Sequence, residues 1–62
     1  MDINRAALAD LVRLPGIMEP RAKAILADRA KNGPFGSCAD LARVPGIGPA
    51  TIANLGETCT AR

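Results

Sequence analysis

Residues Asp10–Ile17 read DLVRLPGI, and residues Asp40–Ile47 read DLARVPGI. Six of the eight positions are identical at an offset of 30, and the two that differ stay apolar. In a chain of 62 residues this marks one structural unit that occurs twice. Working outward, Leu8, Leu11, Val12 and Leu14 precede the first Pro-Gly pair, and Ala22, Ile25, Leu26, Arg29 and Ala30 follow it at helical spacing. Around the second pair stand Leu41 and Val44, then Ile52, Leu55 and Cys59. No useful length alternates with period two, so strands are not expected.

The punctuation agrees with a helical reading. Pro20 and Pro49 fall where a helix accepts proline, in its first turn. Asn32-Gly33-Pro34 is a helix stop. Asn4 is placed to cap the first helix, and Ser37 with Asp40 has the spacing of a capping box. The resulting map is helix 6–14, turn 15–18, helix 19–32, connector 33–36, helix 37–44, turn 45–48 and helix 49–59. Gly56 interrupts the last helix at a cost of about 1 kcal/mol relative to Ala, so the helix frays or ends there, or a neighbouring backbone passes close by. The expectation is a single all-α domain over residues 1–62, with four or five short helices and pseudo-two-fold symmetry. Unit one spans about 5–32 and unit two about 37–60.

Size and composition bound the function. A chain this short buries only about 60% of the surface that its unfolded form exposes, which leaves no room for a core plus a substrate cleft. Phe35 is the sole aromatic residue, so the core is expected to be Leu, Ile, Val and Ala. The net charge of +2, from eight basic and six acidic residues, permits an anionic partner without requiring one. There is no His, no nucleophile–base pair and no phosphate-loop motif, and Asp2, Asp10, Asp28 and Asp40 fall at helix ends or exposed faces. The expectation is a non-enzyme with no cofactor and no small-molecule substrate. Two cysteines without CxxC spacing make no zinc site, and no apolar run approaches the roughly 18 residues of a membrane span.

The turns carry the chemistry. In Pro45-Gly46-Ile47-Gly48-Pro49, the first glycine suits positive φ, the isoleucine anchors the turn inward, and the second glycine leaves room for another molecule. The amides of the turn and of the following helical turn have no intrahelical partners. Together with the positive end of the helix dipole, they suit a phosphate oxygen. Pro49 has no N–H, so the expected donors are Gly46, Gly48, Ala50 and Thr51, the last assisted by its hydroxyl. In the first turn the equivalents are Gly16, Ile17 and Met18, with Arg21 and Lys23 one turn further on, expected to reach a phosphate at longer range.

This repeated turn is the helix-hairpin-helix motif, and the fuller string resembles the DNA-binding domain of the bacterial competence DNA receptor family. The matching residues are Asp2-Ile3-Asn4, Ala6, Leu11, Leu14-Pro15-Gly16-Ile17, Ala22, Ile25 and Arg29. They continue with Asn32-Gly33-Pro34-Phe35, Ser37, Asp40-Leu41 and Val44-Pro45-Gly46-Ile47-Gly48. The resemblance spans about residues 2–58. It implies two hairpins facing the minor groove of duplex DNA, each touching one strand's phosphates without regard to sequence. It also implies an extracytoplasmic or periplasmic domain, anchored to the membrane through a parent segment absent from this chain. On that view the chain is an excised piece, with Met1 an added start. A cytoplasmic repair protein carrying the same fold is the alternative home.

The chain departs from the family pattern at Met18, where the second glycine of the first hairpin belongs, and at Glu19 beside it. Met18 is read either as an obstruction to phosphate or as packing filler, and Glu19 either as a repulsive charge or as a helix cap. Ala7 replaces the usual Ser or Thr, and the last helix lacks the family's lysines. Arg13 and Arg43, equivalent positions before the two turns, either flank the groove or are ordinary surface residues. The rival function is a scaffold of the same fold that has lost DNA binding, as in the extrinsic PsbU subunit of photosystem two, which is similar in arrangement. Cys38 and Cys59 lie 21 positions apart, at expected ends of an antiparallel helix pair. They are either bridged, if their Cα atoms come within about 7 Å, or free core thiols.

Overall fold

The computed structural model describes residues 1–61. It contains three α-helices: α1 (Leu8–Leu11), α2 (Glu19–Asn32) and α3 (Pro49–Leu55). Two 3-10 segments, Cys38–Arg43 and Gly56–Thr58, complete an all-α fold. Among the described residues the extended pairing is a single parallel bridge between Asp2 and Thr60, in which the Ile3 amide donates to the Thr60 carbonyl at 2.9 Å.

The repeat governs the core. Leu11 and Leu41, Leu14 and Val44, Ile17 and Ile47, and Ile25 and Leu55 are pairs at the offset of 30, and all eight side chains are buried. A fully buried side chain of this kind contributes about 1.5–3 kcal/mol. The backbone repeats too. Ile17 N–H donates to Leu14 O and Ile47 N–H to Val44 O, both at 3.1 Å. Gly16 and Gly46 take φ of 77° and 91°, a region that a side chain would strain.

Three helix boundaries differ from the sequence map. The first helix, expected over 6–14, is α1 alone. Ala6 closes a separate turn onto Asp2 O, and the amides of Arg13 and Leu14 bond three residues back, tightening the chain before Pro15. The expected helix 37–44 is the 3-10 segment Cys38–Arg43. The 3-10 form is common in short segments of this kind. The expected helix 49–59 ends at Leu55, where Gly56 turns with φ of 49° and no neighbour crowds it, so the glycine is a terminator rather than a close-approach site.

The expected caps also differ. The Asn4 side chain does not cap α1. It forms a two-way bridge to Phe35, donating to Phe35 O at 2.9 Å and accepting from Phe35 N–H at 2.7 Å. Asp10 instead accepts from the Ala7 amide at 3.0 Å, half of a capping box built without a hydroxyl. Ser37 makes no cap bond, and Asp40 accepts from Gly36 N–H at 3.0 Å. Phe35 is buried in the core, contrary to an aliphatic-only expectation, whereas Val12 and Ala30 face solvent.

Cys38 and Cys59 are joined by a disulfide with Cα atoms 6.2 Å apart. Cys59 lies beyond α3, after the 3-10 turn Gly56–Thr58, so the bridge ties a segment start to the chain's return rather than two helix ends.

Candidate nucleic-acid interface

Each turn delivers the chain into the head of a helix with the same backbone. Met18 and Gly48 are the N-cap residues of α2 and α3, with φ, ψ of −88°, 171° and −109°, 178°. Neither helix has a side-chain cap, and each has proline in its first turn. The first amide to close an intrahelical bond is Ala22 in α2, to Met18 O, and Ile52 in α3, to Gly48 O. The amides ahead of them stay without partners among the described residues: Gly16, Met18, Glu19 and Arg21 at one turn, and Gly46, Gly48, Ala50 and Thr51 at the other. Gly16, Gly46 and Ala50 are exposed, Gly48 and Thr51 half-buried, and Ile17 and Ile47 point into the core as anchors.

Gly48 has extended backbone, which any residue adopts, and a Cβ there would meet nothing within 4 Å. The glycine is therefore not needed for folding. What it leaves is open space in front of the amides. Met18 fills the equivalent space: its side chain is 66% exposed, so it is not packing filler. Glu19 makes no cap bond and instead pairs with Lys23 across one helical turn, carboxylate to ammonium at 3.0 Å. The first turn thus has an apolar side chain at its tip and a neutralised charge pair beside it.

The two turns lie against each other across the pseudo-two-fold. Arg21 Nε donates to Gly46 O at 3.0 Å, and its Nη1 donates to Gly16 O at 3.4 Å. A Cβ built on Gly46 would sit 3.5 Å from Arg21 Nε, and one built on Gly16 would sit 3.7 Å from Thr51 Cγ2. Arg21 and Thr51 are themselves equivalent at the offset of 30, so each unit rests a helix residue on the other unit's positive-φ glycine. The chain belongs to the helix-hairpin-helix family. The motif family matches residues 1–60 of the 62. The helix-hairpin-helix chain is also 32% identical over its full length to ComE operon protein 1 of Bacillus subtilis (strain 168), of which it spans 30%.

Arg13 and Arg43, although equivalent in the helix-hairpin-helix repeat, are not equivalent in the structure. Arg43, although exposed, is engaged within the chain: Nε pairs with Asp28 Oδ1 at 2.6 Å, Nη2 donates to Gly33 O at 2.9 Å, and the guanidinium lies 4.3 Å from the Phe35 ring centroid. Arg13 is exposed, and its side chain makes no hydrogen bond or ion pair among the described residues, although its amide donates to Asp10 O. Arg29, a family-matching position, holds the N-terminal segment by donating from Nη1 to Ile3 O and Ala6 O at 2.8 and 2.9 Å. Nothing in the residue pattern signals the bonds of Arg21, Arg29 or Arg43, because each guanidinium reaches a carbonyl supplied by a different part of the chain.

No group of three metal-ligating side chains occurs among the described residues, and no helix there is long and apolar enough to cross a membrane.

Proposed function

We propose that this chain binds duplex DNA through its phosphate backbone without reading base sequence, and that it does so in DNA uptake during competence. The observation that carries the reading is the pair of turns that present partnerless amides at helix heads, in two-fold relation. Such amides, with the dipole behind them, suit phosphate oxygens. The two strands of a duplex are themselves related by two-fold axes, so one turn per strand is the natural match. Contacts to phosphate position a protein without specifying a base. Similarity to ComE operon protein 1 supports the setting, and the family membership supports a binding domain rather than an enzyme. The disulfide suits an extracytoplasmic home, where such bonds persist.

In this reading the second hairpin (Gly46, Ile47, Gly48, Ala50 and Thr51) makes the closer contact. The first (Gly16, Ile17 and Met18) makes the weaker one. Binding is expected in the ~10⁻⁴ to 10⁻⁶ M range of non-specific contacts, with log K falling against log salt by about 0.9 for each phosphate neutralised. Fluorescence anisotropy of a labelled duplex across a salt series checks this, and a slope near zero would refute the phosphate mechanism. Replacing Met18 by glycine clears the first turn as Gly48 clears the second. The M18G chain is expected to bind the duplex about two- to fivefold more tightly, since an anion at a helix head is worth about 0.3–1 kcal/mol. Unchanged affinity would mean that Met18 lies outside the contact.

The scaffold reading draws on the exposed Met18 and Val12, apolar side chains that a protein partner would cover. Amide shifts during a duplex titration separate the two readings. Movement clustered at residues 46–51 supports DNA, and silence there supports a scaffold.

A further inference from the structure

We propose that Arg21 is a positioning residue: it straps the two hairpins together at a fixed span and thereby makes the domain prefer duplex over single-stranded DNA. The proposal rests on the DNA reading above and adds a role for a side chain that sequence alone assigned to direct phosphate contact.

The geometry points away from a simple phosphate ligand. Of the five N–H donors of a guanidinium, one reaches the carbonyl of Gly46 and a second the carbonyl of Gly16. These are the two positive-φ glycines, one in each turn. Arg21 packs directly on the Gly46 turn: a Cβ built there would lie in ordinary contact with it, 3.5 Å from Nε and 3.9 Å from Cγ, so the glycine is required by its φ of 91° and not by the arginine. Arg21 therefore fastens both turns through their main chain. Its counterpart Thr51 presents a methyl group to Gly16, 3.7 Å from where a Cβ would sit, and makes no side-chain hydrogen bond there among the described residues, so the polar strap comes from one side. A planar guanidinium presents its donors in a fixed fork and so sets the separation of the two carbonyls. A lysine ammonium at the end of a flexible stem carries the same charge without that constraint.

Two linked hairpins are a bivalent binder, and bivalency helps only when the spacing of the modules matches the spacing of their targets. A duplex holds its two backbones at a set distance. A single strand is flexible and adjusts to whatever span it meets. Loosening the strap therefore penalises the duplex and spares the single strand.

The test compares the wild-type chain with Arg21→Lys and Arg21→Gln, using a duplex and a single-stranded oligonucleotide that carry equal numbers of phosphates. For Arg21→Lys, duplex affinity is expected to fall about tenfold, with single-strand affinity changing less than about twofold. The salt slope stays as in the wild type, because the charge is kept. Without any DNA, the amides of Ile17 and Ile47 both shift in the ¹H–¹⁵N spectrum of either variant, while the amides of the core pair Leu11 and Leu41 stay in place and show an intact fold. Equal losses on both DNA forms would overturn the strap, as would a shift confined to one turn. If the wild-type chain binds neither oligonucleotide, the DNA reading fails and duplex preference fails with it. If it binds and Arg21→Lys keeps the duplex preference, the strap alone is wrong.

Discussion

Reducing the Cys38–Cys59 bond is expected to lower the melting temperature by roughly 12–24 °C, because its loss costs about 3 kcal/mol and each kcal/mol shifts a domain of this size by about 4–8 °C. The bond closes a loop of 21 positions that contains the whole second hairpin. Opening it restores freedom to the unfolded chain and frees the start of the 3-10 segment at Cys38. So small a domain has little stability in reserve. The same fall is expected for the C38S/C59S double variant, read by circular dichroism in the absence of reductant. Melting curves that coincide with and without reductant, while thiol counting shows two free thiols, would remove the disulfide from the account of stability.

Replacing Gly48 by glutamate is expected to cut duplex affinity at least tenfold while leaving the fold intact or slightly firmer. The backbone at Gly48 is extended and a side chain there meets nothing, so the substitution is unstrained. A carboxylate at a helix N-cap favours the dipole by about 0.3–1 kcal/mol. The same carboxylate stands where the phosphate is proposed to sit, and it repels at close range by about 1 kcal/mol or more even in water. It also occupies the open space in front of the amides. The two effects have opposite signs, which makes the result diagnostic: a higher melting temperature with weaker binding. Undiminished affinity for the duplex in G48E would remove the second hairpin from the interface.

The repeat made most of the fold legible. Near-identical strings at an offset of 30 placed both turns, and Pro20 with Asn32-Gly33-Pro34 placed the start and stop of α2 at Glu19 and Asn32. The same pairing put Ile17 and Ile47 inside. What the sequence hid were features that depend on distant chain. The shortening of α1 and the 3-10 form of Cys38–Arg43 left no mark in the apolar periodicity, which both forms share over so few residues. Asn4 had the look of a cap, but its amide found a better pair of partners in the Phe35 backbone. Arg21, Arg29 and Arg43 look alike as surface cations, and only the fold shows that each is spent on carbonyls of another segment. At the candidate interface, the open amides were readable from glycine and helix-start signals. The exposure of Met18 and the bond of Glu19 to Lys23 were not, because a side chain at a tip can turn either way.

The reciprocal contact, Arg21 on Gly46 and Thr51 on Gly16, is the kind that identical subunits of a dimer make with each other. A true homodimer would carry every substitution twice, so a methionine at the tip of one bend would appear at both. Fusing the halves into one polypeptide lifts that obligation. One bend here keeps its glycine and its clearance while the other has drifted to methionine, and the cross-brace is an arginine on one side and a threonine on the other. Covalent linkage thus lets a symmetric architecture divide its labour.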